Sequence, residues 1–483
     1  MNTPLKFQYS TYFASGLMLP VLMELGSCAN PGNKIPTHPN ILVITTDQQS
    51  ASMMSCTGNK WLKTPAMDAI ASAGIRFNCA YATNPVCVPS RFSLQTGRFP
   101  TEIGMRENDR PIMDTIKVKS LYSKSLGNLF HEAGYQTYYG GKVHLPLTGS
   151  AIKPWGYELL TLNERDSLAI VCSDFLLNRK KEDKPFLLFA SFINPHDICY
   201  DAIRWASPES GLAKSTPPEL DEALKLPEGV SENEFFEKYC PPLPDNHQPM
   251  IGELSSVDSL VKLRPFRNSV RENWSEKDWR MHRWAYMRLT ERVDVQIAMV
   301  MDALKRSGLS ENTIVVFTSD HGDLDAAHKL EHKTILYEEA ARIPFVISYP
   351  WMKHKGTIDS EHLVSNGLDL LPTLCDFAGI KSPADLMGKS VVPLTTQETP
   401  PTWRDHIFLE TETGYMIHTG RFKYELDDIG KIREMFVDLK TDNGEMKNEI
   451  DNPKYQGIID SLRFELTESL TARNIHFIPP SAK

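Results

Sequence analysis

Two stretches of this chain end an apolar run in groups that bind cations. "NILVITTDQ" delivers Asp47 and Gln48, and "NTIVVFTSDHGD" delivers Asp320 and His321. Carboxylate and carboxamide oxygens are hard ligands that suit Ca2+ or Mg2+. The imidazole of His321 adds a nitrogen and leaves Mn2+ open. A single acid after a strand is often only a turn former; two such ends in one chain favour a metal site. Lys142 and Lys333 are cations able to hold a tetrahedral oxyanion and neutralise its charge during transfer. His144 and His196 titrate near neutral pH and suit general acid or base work, with His328 and His332 as weaker candidates.

Cys87 stands in "TNPVCVPSRFSLQTGRFP". Pro89 suits the first turn of a helix, so "VPSRFSLQTG" opens a short helix aimed by its N-terminus at the site. That placement favours an anion or a thiolate of lowered pKa. A thiolate beside a hard cation is chemically awkward, and an oxygen nucleophile fits better.

The elements that must position these groups alternate. Strands are expected at Ile41 to Thr45 and within "YQTYYGGKVH", "KPFLLFASFINPHD", "NTIVVFTSDHGD" and "IPFVISYP". Helical patterns lie between them, such as Arg288 to Gly308 with its glycine stop. Alternation means an α/β fold with a largely parallel sheet. Ligands bind beyond the carboxyl ends of such strands. Asp47, Lys142, His144, His196, Asp320 and His321 all fall there.

With 483 residues the chain is long enough for one large domain and a smaller one. A net charge of −9 without a basic stripe argues against a nucleic-acid partner. The start reads as an export signal over residues 1–27, with Lys6, an apolar stretch too short to span a membrane, and small residues after it. "LGSC" resembles a bacterial lipobox that would lipidate Cys28 and anchor an exported, periplasmic or outer-membrane lipoprotein. The eight cysteines are scattered and form no disulfide framework.

The residues C-x-P-S-R, here Cys87-Val88-Pro89-Ser90-Arg91, followed by "LQTGR", resemble the signature of the type I sulfatases of the alkaline-phosphatase superfamily. The resemblance runs from Pro39 into the C-terminal region. It implies oxidation of Cys87 to formylglycine by a separate maturase, with the aldehyde hydrate as nucleophile. It places Asp47, Gln48, Asp320 and His321, with the modified Cys87, around a divalent cation, Ca2+ being expected and Mg2+ or Mn2+ the alternatives. "GGKVHL" gives Lys142 and His144, the P-H motif gives His196, and Lys333 matches the second sulfate-binding lysine. Arg91 would fix the hydrate, His196 would protonate the leaving oxygen, and His144 would be the base that releases sulfate.

The same resemblance implies an alkaline-phosphatase-like fold, with a large mostly parallel sheet sandwiched by helices and a smaller C-terminal antiparallel sheet. The catalytic domain is expected over 38–380 and the subdomain over 381–483. "SNGLDLLPTLCDFAGI" looks like the helix closing the large domain. His418 and Arg421 are read as structural, with substrate contact as the other reading. The expected partner is a sulfated oligosaccharide. The site spacing looks most like bacterial 2-O-sulfatases acting on unsaturated uronic acids of heparin, heparan or chondroitin fragments. The Pro-rich stretch from about Tyr200 to Arg280 is a candidate for binding loops. The alternatives are a phosphonate or phosphate ester hydrolase, a choline or aryl sulfatase, and a non-catalytic sulfated-glycan-binding lipoprotein.

Overall fold

The computed structural model describes residues 38–108, 113–147, 151–396 and 402–479. The expected leader and Cys28 lie outside the described residues. Residues Ile35–Lys483 form one compact unit. Its strands are β1 (Asn40–Asp47), β2 (Gly74–Phe77), β3 (Ala80–Tyr81), β4 (Gln136–Gly141), β5 (Glu158–Thr161), β6 (Phe186–Pro195) and β7 (Thr313–Ser319). They continue with β8 (Phe345–Ser348), β9 (Thr357–Asp359), β10 (Val364–Ser365), β11 (Ile407–Glu410), β12 (Gly414–His418), β13 (Phe422–Asp427) and β14 (Glu434–Asp438).

All five expected strands are present. The large sheet runs β5-β4-β6-β1-β7-β8-β2-β9. It is parallel from β5 through β7, and β8 then reverses direction against both β7 and β2. β1 is the central strand because every residue in it is buried. Alternate side chains feed two cores. Ile41 and Val43 join Leu187, Phe189, Ile314 and Val316 under the helices Cys87–Thr96 and Asn366–Ala378. Leu42 and Ile44 join Leu188, Ala190, Val315 and Phe317 under the helices Pro65–Ser72, Asp166–Leu177 and Glu276–Arg306. Covering both faces explains why these strands read as unbroken apolar runs instead of alternating ones.

The long helix starts twelve residues before its expected start at Arg288. Ser275 and Asp278 form a reciprocal capping box that fixes this N-terminus. Gly308 in the left-handed region follows its end. The Tyr200 to Arg280 stretch is only partly loop: irregular segments such as residues 240–254 alternate with short helices, including Cys199–Ala206, Ser255–Leu263 and Pro265–Asn273. The small sheet β11-β12-β13-β14 is antiparallel throughout. One face (Tyr415, Ile417, Tyr424, Leu426) packs on the helix Gln456–Ala472. The other (Leu409, Met416, Met435, Val437) packs on Leu336, Tyr337 and Ala340.

Gly141 ends β4 with φ of 88°, and a Cβ there would collide with the carbonyl oxygen of Ser191. Gly141→Ala therefore adds left-handed strain of about 1–2 kcal/mol and overpacking of about 1–3 kcal/mol. A drop in the thermal midpoint is expected. An unchanged midpoint would show that the end of β4 relaxes freely.

Candidate active site

β1 lies between β6 and β7, both of which follow it in the chain, and ligands of such sheets bind beyond the carboxyl ends of the strands. Asp47 terminates β1, and Asp320 and His321 follow β7. Lys142 follows β4 and His196 follows β6. Opposite them the helix Cys87–Thr96 presents Cys87 as its first residue. All ten residues of that helix are buried, so its positive N-terminal end acts on the site at low dielectric.

Four potential ligand atoms, from Asp47, Cys87, Asp320 and His321, lie within 4.8 Å of one another, all buried. His321 Nδ1 is 2.8 Å from the Gly322 carbonyl, which fixes the proton there and leaves Nε2 free to coordinate. Nε2 is 3.7 Å from Asp320 Oδ1 and 4.0 Å from Asp47 Oδ1. Two carboxylates and an imidazole fit a divalent cation such as Ca2+, Mg2+ or Mn2+. Gln48 stands differently from its expected ligand role. Its side-chain oxygen accepts from Lys333 Nζ at 2.8 Å and from the Cys199 thiol at 3.1 Å, while its amide donates to Asp323. The left-handed backbone at Gln48 turns this side chain away from the line of β1.

Arg91 spends four of its five N–H donors inside the protein. Nε donates to Asp320 Oδ2 at 2.8 Å and Nη2 to Asp47 Oδ2 at 2.9 Å. Nη1 donates to the Lys142 carbonyl and to Ser191 Oγ. Arg91 is thus the brace of the carboxylates, where the sequence suggested a contact to the nucleophile. Burial disfavours its charge, but Asp320 and Asp47 outweigh this and hold it above the ordinary arginine range.

Cys87 Sγ is the point of convergence. Lys333 Nζ is 3.0 Å away, His321 Nε2 3.2 Å, and Lys142 Nζ and Asp47 Oδ1 each 3.8 Å. Burial and Asp47 push the thiol up, yet Lys142, Lys333 and His321 bring it well below the ordinary thiol range. The pocket therefore favours an anionic atom at this position. Lys142 also pairs with Asp47 at 2.7 Å.

His196 sits on a turn anchored by Asp197, which pairs with Arg165 at 2.7 Å. Burial, with Lys142 and Lys333, holds its imidazole well below the usual range, so it stands neutral. Its Nδ1 has no hydrogen-bond partner among the described residues. His144 is exposed with a left-handed backbone, and none of the contacts to Cys87 given above comes from it. The geometry gives its expected role as base no support.

Within "TILYEEAA" only Glu338–Ala341 is helical. Upstream, Asp325, Ala326, His328, Lys329, His332 and Thr334 all have positive φ. Their backbone bonds go elsewhere, as Leu324 N–H does to His332 and Thr334 N–H to Pro85. Lys423 from β13 donates to the Leu336 carbonyl at 2.7 Å and pairs with Glu445. The small sheet thus holds the segment that carries Lys333. His328 stacks on Tyr337, His418 packs on Tyr81 and contacts Glu338, and Arg421 pairs with Asp438. These three side chains have structural partners. The seven described cysteines are free thiols. Sequence reading missed Ser191, Cys199 and Arg267, which carry no motif and matter only through spatial neighbours.

A basic pocket over a cluster of potential cation ligands, with Cys87 at a helix N-terminus, fits the chemistry of a cation-assisted hydrolase of oxyanion esters. The Sulfatase family model matches residues 39–380, and the model described as N-sulphoglucosamine sulphohydrolase, C-terminal, matches 326–472. A Delta 4,5-hexuronate-2-O-sulfatase of Bacteroides thetaiotaomicron is 30% identical over 456 residues, covering 90% of this chain and 89% of that protein. An N-acetylglucosamine-6-O-sulfatase of the same organism is 27% identical, covering 91% and 88%. The solved structure of a 2-O GAG sulfatase superposes with TM-score 0.75 at 26% identity, covering 90% and 93%. The chain belongs to the sulfatase family and is a sulfuric ester hydrolase. That family generally uses a divalent cation and a formylglycine, and the cluster around Cys87 suits both.

Proposed function

We propose that the enzyme removes the 2-O-sulfate from an unsaturated hexuronate of glycosaminoglycan fragments, using formylglycine made from Cys87 and Ca2+. The observation that carries the chemistry is the convergence of Lys142 and Lys333 on Cys87 beside Asp47, Asp320 and His321. The substrate class is supported by the likeness to the hexuronate 2-O-sulfatase along nine-tenths of both chains. Lys142, Lys333 and the helix N-terminus hold the sulfate oxygens and offset their charge as the ester bond breaks. His196 supplies the proton to the departing sugar oxygen. Burial, then Lys142 and Lys333, hold this histidine low; the negative sulfate ester would offset the part due to the lysines and move it toward its protonated form. Asp47, Asp320, His321 and the modified Cys87 side chain would hold a divalent cation, which would add positive charge beside the sulfuryl group.

Defined sulfated disaccharides test the substrate. We expect kcat/KM for the 2-O-sulfated unsaturated uronate to exceed that for 6-O-sulfated N-acetylglucosamine and for aryl phosphonate monoesters by about 100-fold or more. A preference for either comparison substrate overturns the reading. Excess chelator is expected to abolish turnover and lower the thermal midpoint, with Ca2+ restoring both. Full activity and an unshifted midpoint in chelator would exclude a cation at the cluster.

A further inference from the structure

The helix that carries Cys87 is capped from outside its own sequence. Its N-cap residue, Val86, makes no side-chain cap, and Pro89 in its first turn has no N–H to cap. The Val88 N–H donates instead to Asn108 Oδ1 at 2.8 Å. A backbone N–H only donates, so this bond sets the Asn108 amide with its oxygen toward the helix and its nitrogen turned away. The N–H groups of a first turn point out of the N-terminal end of a helix. Asn108 therefore stands off the end at which Cys87 Sγ meets Lys333 Nζ at 3.0 Å and Lys142 Nζ at 3.8 Å. Its Nδ2 donates to no group among the described residues, and the side chain is only half-buried, so that donor is open to solvent. The segment leading to it is held firmly. Asn84 donates to the Arg106 carbonyl at 3.3 Å, and Arg106 donates to the Thr411 carbonyl at 2.9 Å and pairs with Asp428 at 2.7 Å.

Capping by itself does not call for an amide. Aspartate and serine cap helices as well as asparagine does, and the positive end of a helix favours a carboxylate over a neutral group. What asparagine adds here is a free N–H donor; what it avoids is a negative charge beside a sulfate. Lys142 and Lys333 are the charged donors at Cys87, and a sulfate ester presents more than one non-bridging oxygen. A fixed neutral donor at the same end of the helix suits charge that builds on a sulfuryl oxygen as the ester reacts. We propose that Asn108 is a substrate-contacting residue, whose Nδ2 donates to a sulfuryl oxygen of the bound ester while its Oδ1 holds the helix of Cys87. This role rests on sulfate ester hydrolysis at Cys87 and not on which sugar carries the sulfate.

The test compares wild type with Asn108→Asp and Asn108→Ala. The substrates are the 2-O-sulfated unsaturated uronate disaccharide and 6-O-sulfated N-acetylglucosamine, and the comparison is made on whichever wild type hydrolyses better. Rates are expressed per formylglycine-bearing molecule, counted by mass spectrometry of the peptide containing residue 87. Aspartate keeps the cap and alanine adds no charge, so the amide donor is the one feature that both variants lack. Both are expected to lose about 100-fold in kcat, with the thermal midpoint kept in Asn108→Asp and lowered in Asn108→Ala. Either variant with kcat within about 3-fold of wild type makes Asn108 a cap only and overturns the proposal. A raised KM with unchanged kcat in both places the amide away from the reacting sulfuryl group and also overturns it. Should the alanine variant not fold, the aspartate variant decides by the same split, because repulsion of the sulfate raises KM whereas a missing transition-state donor lowers kcat. A preference for 6-O-sulfated N-acetylglucosamine overturns the substrate reading alone and leaves this comparison in force on that ester.

Discussion

Cys87→Ala is expected to abolish sulfate ester hydrolysis, with kcat falling by at least about 1,000-fold, because alanine has no atom where the site's charges converge. Lys333, His321, Lys142 and Asp47 all contact the Cys87 sulfur, and no other side chain of the helix Cys87–Thr96 replaces it. The decisive comparison is protein produced without a converting maturase, which keeps the thiol. That protein is expected to be as inactive as the alanine variant, although its thiol is held well below the ordinary range. A soft thiolate pairs poorly with a hard cation, and a formylglycine hydrate presents oxygen in its place. Across preparations, turnover should track the fraction of formylglycine measured by mass spectrometry of the peptide containing residue 87. Full activity with an intact thiol would end the formylglycine reading.

Arg91→Met is expected to destabilise the fold by about 3–5 kcal/mol, the usual cost of removing one partner of a buried ion pair. That is a large share of the roughly 5–15 kcal/mol that stabilises a typical domain. Asp47 and Asp320 are both fully buried, and Arg91 donates a hydrogen bond to each of them. The phenotype should therefore be a lower midpoint and weaker cation affinity, with KM affected less. Its pH dependence has a definite sign. Burial and Asp47 push Asp320 up to about 6 even with Arg91 in place. A carboxyl raised above its unfolded value destabilises the fold as it ionises, so the penalty grows as pH rises through the folded pKa and fades below it. Removing Arg91 raises Asp320 further. Denaturant unfolding in chelator, with Asp320 free to titrate, should show a smaller deficit at pH 5 than at pH 8. A variant with a normal midpoint and cation affinity but a raised KM would make Arg91 a substrate contact.

The misreadings share a cause. Gln48 follows Asp47 directly, yet one left-handed residue sends its oxygen to Lys333 and Cys199. His144 is two residues from Lys142, yet one is exposed while the other is buried against Asp47. "TILYEEAA" has helical composition, but its backbone bonds go to distant partners and to a small sheet that begins some 70 residues later. In each case local pattern lost to a contact that no short window contains.

The sequence by itself determined the strand–helix alternation, a helix that opens at Cys87, and the position of Asp47, Asp320 and His321 at the ends of β1 and β7. These follow from local rules, in which apolar runs bury strands and a proline opens a helix, and from a motif whose spacing is fixed within a few residues. Only the tertiary structure decided that Arg91 braces two carboxylates and that Gln48 serves Lys333. Those roles depend on which buried donors meet which acceptors across separations of 44 to 285 residues. Low dielectric makes each such match or mismatch strong, and only packing brings the partners together.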